Sequence, residues 1–93
     1  MKCFVIDCSN ITTAAQFWET YLAVVKPEGA GLFGRNLDAF NDALAGGPGY
    51  PGECELSLFN SSRLHHLDNG QFLRHLREIA TEPHNEAIVL VFR

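Results

Sequence analysis

Positive charge is scarce in this chain: 7 lysines and arginines among 93 residues, against 11 aspartates and glutamates, for a net charge of −4. Wrapping nucleic acid through phosphate contacts needs a cationic excess, so direct nucleic-acid binding is disfavoured. Arg63, Arg74 and Arg77 with nearby histidines make only a weak basic region, which Asp68 and Glu78 interrupt. Long apolar runs are also missing. The longest, Ile88 to Phe92, falls far short of the ~20 residues that a membrane-spanning helix requires. No secretory hydrophobic region follows Met1-Lys2 and no targeting segment is visible, so a cytoplasmic location is expected. Cysteine is limited to Cys3, Cys8 and Cys54, an odd set in or beside apolar strand patterns, which reads as reduced core thiols rather than a disulfide framework. There is no GxSxG and no cysteine at a helix N-terminus, so nothing local supports a nucleophilic enzyme. His65, His66 and His75 have no Cys or carboxylate at ligand spacing beside them, and adjacent side chains on a helix point about 100° apart. No metal site and no cofactor are expected.

What is present supports one domain over residues 1–93. A chain of this length that is 46% hydrophobic can bury one modest core. Residues 2–8 are a short run of strand formers. Thr13 and Gln16 form a possible capping box, and Phe17, Trp18, Tyr21, Leu22 and Val25 recur at helical spacing until Lys26-Pro27, giving a first helix of about 13–25. A glycine-rich loop over 28–34, a second helix and the irregular stretch Gly46 to Gly52 follow. Cys54, Leu56 and Leu58 alternate with Glu55 and Ser57, which predicts a strand with one wet face. Ser61 and Ser62 can cap a short helical turn through Leu67. Asp68 with Gln71 spells another capping box, and Phe72, Leu73, Leu76, Ile79 and Ala80 make the stripe of a helix ending before Pro83. Ile88 to Phe92 is a last strand, apolar on both faces. Helical crossovers between the strands predict an α/β domain with parallel pairing, although spacing does not give the strand order.

The acidic surplus is local. Residues 28–55 contain Glu28, Asp38, Asp42, Glu53 and Glu55 against Arg35 alone, while the charges elsewhere cancel, so a basic partner can be steered to one side of the molecule. Within this segment Asn36 is a good N-cap and Gly46 a good C′ residue, framing a helix over about 37–45. Leu37, Phe40 and Leu44 form its apolar stripe, and Asp38, Asn41, Asp42 and Ala45 fall on the opposite side. Asp38 lies in the first turn, where the helix dipole favours an anion. Asp42 lies in the last turn, where the dipole disfavours one, and a turn away from a like charge. A solvated polar face accounts for such carboxylates in general; an acidic docking face is the alternative.

Gly29-Ala30-Gly31-Leu32-Phe33-Gly34 spells GxGxxG, with Glu53 at about the distance of a ribose-binding acid. The context argues against a dinucleotide site. A helix and Pro27 precede the glycines instead of a strand, and Asp38 opens the next helix where a pyrophosphate would sit. The glycines then serve close backbone approach or the turn itself.

The run Phe33-Gly34, Asn36-Leu37-Asp38-Ala39-Phe40, Asp42-Ala43-Leu44 resembles the barstar family, small intracellular inhibitors of barnase-type microbial ribonucleases. Its members carry an aromatic, Gly, any residue, Asn-Leu-Asp-Ala, an apolar residue, any residue and Asp-Ala-Leu. Outside residues 32–46 the similarity lies in the order of elements. The resemblance implies a three-stranded parallel sheet with about four helices, and a protein that is not an enzyme, has no cofactor and is monomeric when free. It would cover the active site of a basic ribonuclease. By the same resemblance Asp42 would occupy the enzyme's phosphate site, with Asp38 a second anionic contact. Leu32, Phe33 and Gly34 would pack on the enzyme, Asn41, Ala45 and Gly46 would be contact positions along the helix, and Glu78 would be a contact from the last long helix. Leu32-Phe33 stand where the best-known member has two tyrosines, Asn41 and Gly47 where it has tryptophans, and Arg35 replaces an acidic residue. These departures predict a preference for a cognate nuclease other than barnase. Two readings of another class stay open: a small nucleotide-binding domain using residues 29–34, and an acidic module for a basic protein that is not a nuclease.

Overall fold

The structure is a computed structural model, and it describes residues 2–82 and 87–93. The elements are β1 (Lys2–Asp7), α1 (Ala14–Val25), a 3-10 turn (Ala30–Leu32), α2 (Leu37–Leu44), β2 (Cys54–Phe59), a 3-10 segment (Ser61–Gly70), α3 (Gln71–Ala80) and β3 (Ile88–Phe92). All three strands are parallel, in the order β1-β2-β3. The expected α/β class and three-stranded parallel sheet are therefore present. Three α-helices are present among the described residues, close to the about four expected, with two 3-10 segments beside them.

Strand register decides which side chains meet the helices. Lys2, Cys54 and Ile88 form one row, Phe4, Leu56 and Leu90 the next, and Ile6, Leu58 and Phe92 the third. Side chains alternate across a strand, so these even-numbered residues share a face. Ile6, Cys54, Leu56, Leu58 and Ile88 are buried there, and Phe4, Leu90 and Phe92 pack against them. The odd-numbered face leaves Cys3, Val5, Asp7, Phe59 and Val89 exposed.

Two expectations are corrected on that outer face. Cys3 is not a core thiol, because its odd-numbered position puts it on the outer face of an edge strand, with Sγ 3.3 Å from Oε2 of Glu55. Cys8 and Cys54 are buried, and burial, reinforced by the neighbouring Asp7 carboxylate, pushes the Cys8 thiol up to about 11. Ser57 does not lie on a wet face. It sits on the central strand between Val5 and Val91, almost fully buried, and donates to Oε2 of Glu55 at 2.9 Å.

α1 starts as its sequence directs. Oγ1 of Thr13 accepts from the Gln16 backbone N–H at 3.2 Å and the Gln16 side chain accepts from the Thr13 N–H at 3.3 Å, which completes the capping box. It stops where Lys26 turns left-handed at φ 51°. α3 does not start as predicted. Asp68, Asn69 and Gly70 are all left-handed (φ 50°, 54° and 86°), and Gly70 is the N-cap without a side-chain hydrogen bond. A capping side chain needs extended backbone directly before the helix, so the Asp68–Gln71 box cannot form. The stripe itself holds, with Phe72, Leu73, Leu76 and Ile79 buried; Pro83 lies outside the described residues.

The core is centred on an aromatic cluster. The Trp18 ring lies 5.0 Å from Phe17, 5.6 Å from Phe33, 5.4 Å from Phe40 and 5.7 Å from Phe72, mostly edge to face, a geometry that adds to the gain from burial. Through Phe33 and Phe40 this cluster seats the segment around α2.

Candidate functional site

α2 has only eight residues, too few to be stable by itself, so its position comes from what it buries. Phe40, Ala43 and Leu44 point inward, and the Phe40 ring lies 5.3 Å from Tyr21 as well as against Trp18. Asp38, Asp42 and Ala45 come out exposed, with Asn41 half-buried beside them. Both ends are framed as read. Asn36 accepts from the Ala39 N–H at 2.7 Å, and Gly46 follows the C-cap with φ 111°, a conformation that favours glycine.

The N-terminal junction is interlocked. A Cβ on Gly34 would stand 2.9 Å from the Ala39 Cβ, and the Asn36 amide donates to the Gly34 carbonyl at 3.2 Å. Gly34 therefore has a reason inside the fold, since a side chain would push the entering loop off α2. The two glycine-rich loops that flank the helix also close on each other. The Gly49 N–H donates to the Glu28 carbonyl at 3.1 Å, and the Gly49 carbonyl accepts from the Tyr21 hydroxyl at 2.7 Å. Gly49 is left-handed (φ 91°), and a Cβ there would meet the Phe33 ring at 2.9 Å.

Phe33 faces inward: it is 6% exposed, wedged among Trp18, Tyr21 and Gly49, so its ring supports the loop from beneath. Leu32 is the opposite case at 79% exposed, a large apolar side chain held outward at the end of the 3-10 turn.

Electrostatically the face is uncompensated. Asp38 has the favourable first-turn position and Asp42 the unfavourable last-turn one, and neither carboxylate has a hydrogen-bond or ion-pair partner among the described residues. No basic residue stands in the last turn to offset Asp42. The nearest cation in sequence is the exposed Arg35 before the Asn36 cap, which does not pair with Asp38. Glu78 is exposed on α3 and lines a groove of about 410 Å³ with His65, Leu73, Arg74, Arg77 and Thr81, which contains no α2 residue. The structure therefore brings Asp38, Asn41, Asp42, Ala45 and Gly46 together on and just after α2, leaves Leu32 exposed in the preceding loop, and places Glu78 on α3 in a groove with Arg74 and Arg77.

Chemically, the face can present fixed negative charge. Among the described residues no three His, Cys, Asp or Glu are grouped to hold a metal ion, and no helix is long and apolar enough to cross a membrane. The GxGxxG spelling follows α1 rather than a strand, and its first and last glycines have structural duties. Gly29 is left-handed (φ 72°) against Pro48, and Gly34 lies against Ala39.

Two features escaped sequence reasoning. The Tyr21 hydroxyl that ties α1 to the Gly49 loop looked like one more member of an apolar stripe; its phenol was the available signal, since a buried hydroxyl needs a partner. Arg35 is left-handed at φ 53°, and arginine gives no sequence cue for that conformation.

Compared with known families, residues 1–92 match the family described as barstar (barnase inhibitor). No curated protein matches the chain.

Proposed function

This chain belongs to the barstar family, whose members are inhibitors rather than enzymes, and we propose that it blocks a barnase-type ribonuclease by laying α2 over the active site. The observation that carries this reading is Asp42: an exposed carboxylate with no partner among the described residues, at the end of a helix whose dipole opposes it, on a helix seated by Phe40, Ala43 and Leu44. A ribonuclease grips an RNA phosphate with cationic side chains. A carboxylate fixed at that point takes the phosphate's place and offers nothing to cleave.

Asp38 supplies the second anionic contact, one turn earlier. Leu32 gives the apolar contact at one end of the face, and Ala45 and Gly46 at the other end let the enzyme approach the backbone closely. Asn41 lies between. Phe33 and Gly34 act from within, by shaping the loop that carries Leu32. Glu78 is assigned a peripheral contact from α3. The inhibitor acts as a cytoplasmic monomer, without metal or cofactor.

The test is competition. Inhibition of RNA cleavage by a barnase-type ribonuclease should weaken as a mononucleotide that fills the phosphate site is added. Inhibition indifferent to that nucleotide would place the contact away from the active site. Titration with NAD or ATP separates the nucleotide-binding reading, which requires saturable binding dependent on Gly31.

A further inference from the structure

α2 carries charge against its own dipole at both ends. Asp42 sits in the last turn, and Arg35 precedes the Asn36 cap, beside the N-terminal amides where positive charge is disfavoured. Arg35 has a second local disadvantage. Its backbone is left-handed (φ 53°), a region that costs a residue with a Cβ and costs glycine almost nothing. Nothing within the described fold offsets either term: the side chain is exposed, it has no hydrogen bond or ion pair among the described residues, and it does not pair with Asp38 one turn on. Gly34 and Asn36, on either side, are accounted for by the junction with Ala39.

We propose that Arg35 is a specificity-determining contact, and that the cognate ribonuclease presents a carboxylate at the rim of its cationic cleft to receive it. The proposal rests on α2 being the docking helix. Arg35 stands before the Asn36 cap and Asp42 in the last turn, so the two opposite charges lie toward opposite ends of α2. The partner surface is then itself dipolar: cationic where Asp42 lands and acidic toward the other end of α2, with an apolar depression for Leu32 near the acidic end. A uniformly basic nuclease fits the Asp42 end and is repelled at the Arg35 end, so the arrangement discriminates among nucleases that all bind a phosphate mimic.

The experiment uses RNA-cleavage inhibition with a panel of purified barnase-type ribonucleases, barnase included. The member most tightly inhibited by the unmodified chain is taken further with Arg35→Gly, Arg35→Glu and Asp42→Ala. Arg35→Gly should raise Tm, because it relieves the left-handed backbone and removes the charge from the dipole's positive end, yet weaken inhibition about tenfold. Arg35→Glu should weaken it on the order of a hundredfold, and changing the nuclease's rim carboxylate to lysine should restore it. An Arg35→Gly or Arg35→Glu chain that inhibits as well as the unmodified one, while Asp42→Ala has lost inhibition, overturns this proposal alone. If no panel member is inhibited, or Asp42→Ala is without effect, the docking reading fails and the proposal with it.

Discussion

Replacing Gly34 with alanine tests whether the glycine next to α2 serves the fold or the partner. The added Cβ would stand 2.9 Å from the Ala39 Cβ, closer than real methyl contacts occur. Ala39 cannot swing away, because its Cβ is fixed by helical backbone that Asn36 caps from the same turn. The junction must open instead, at the usual overpacking cost of about 1–3 kcal/mol. In a domain of this size each kcal/mol lowers Tm by roughly 4–8 °C, so Gly34→Ala should melt roughly 4–24 °C below the unmodified protein. Ala39→Gly removes the opposing methyl. Alone it should cost about 1 kcal/mol in helix propensity. In combination the second change should cancel most of the clash, leaving a coupling energy of at least about 1 kcal/mol in a thermal or urea double-mutant cycle. Gly34→Ala with unchanged stability, or additive single changes, would refute the reasoning. Lost inhibition at unchanged stability would show that Gly34 is there for the partner.

Association with the ribonuclease should slow steeply as salt rises while dissociation changes less, because ions screen the acidic surplus of residues 28–55 over a Debye length of about 8 Å at physiological strength; stopped-flow association rates flat across salt would remove α2 as the docking face. Asp7 is held below the ordinary aspartate value of 3.8 chiefly by the Asn60 amide, which donates to Oδ1 at 3.0 Å, and next by the Ser9 N–H. A depressed folded value means stability fully present above that ordinary value and lost as pH falls through the folded one. Asn60→Gly suits the left-handed backbone there (φ 58°), so its stability deficit against the unmodified chain should be largest near neutral pH and narrow in acid; an equal gap at about pH 6 and about pH 2.5 would contradict this. Asn41→Trp should improve inhibition of barnase by adding an aromatic anchor, whereas Gly47→Trp should not, because a Cβ there meets the Asp42 carbonyl oxygen at 3.0 Å. Gly47 is thus limited by that contact and not by a positive φ. Equal, very tight inhibition of barnase by the unmodified chain would show those aromatics to be dispensable.

The fold was legible wherever local chemistry and periodicity agree. Thr13–Gln16, Asn36 and the stripes of α1, α2 and α3 depend on neighbours within a turn, and all formed as read. What failed depends on partners distant in sequence. Ser57 looked wet by alternation and is buried because β2 is central; Cys3 looked buried and is outward because β1 is an edge strand with the opposite parity to Ile6. Asp68–Gln71 had the right spacing, but three consecutive left-handed residues remove the extended backbone that a cap needs. At the site, the sidedness of Asp38 and Asp42 was readable from a 3.6-residue period. The inward turn of Phe33 was not, since it is set by Gly49, Trp18 and Tyr21 from other segments. The left-handed backbone of Arg35 carries no mark in the sequence.

The central claim is that Asp42 stands in for a phosphate, and the inhibition constant of Asp42→Ala against a barnase-type ribonuclease, measured with its melting curve, tests it most directly. Removing a carboxylate from the dipole's unfavourable end should leave Tm unchanged or slightly raised. Inhibition should fall far more than for Asp38→Ala or Glu78→Ala, because the enzyme's cationic pocket would be covered and left uncompensated. A variant that unfolds would make Asp42 structural, and one that folds and inhibits as tightly as the unmodified chain would contradict the account.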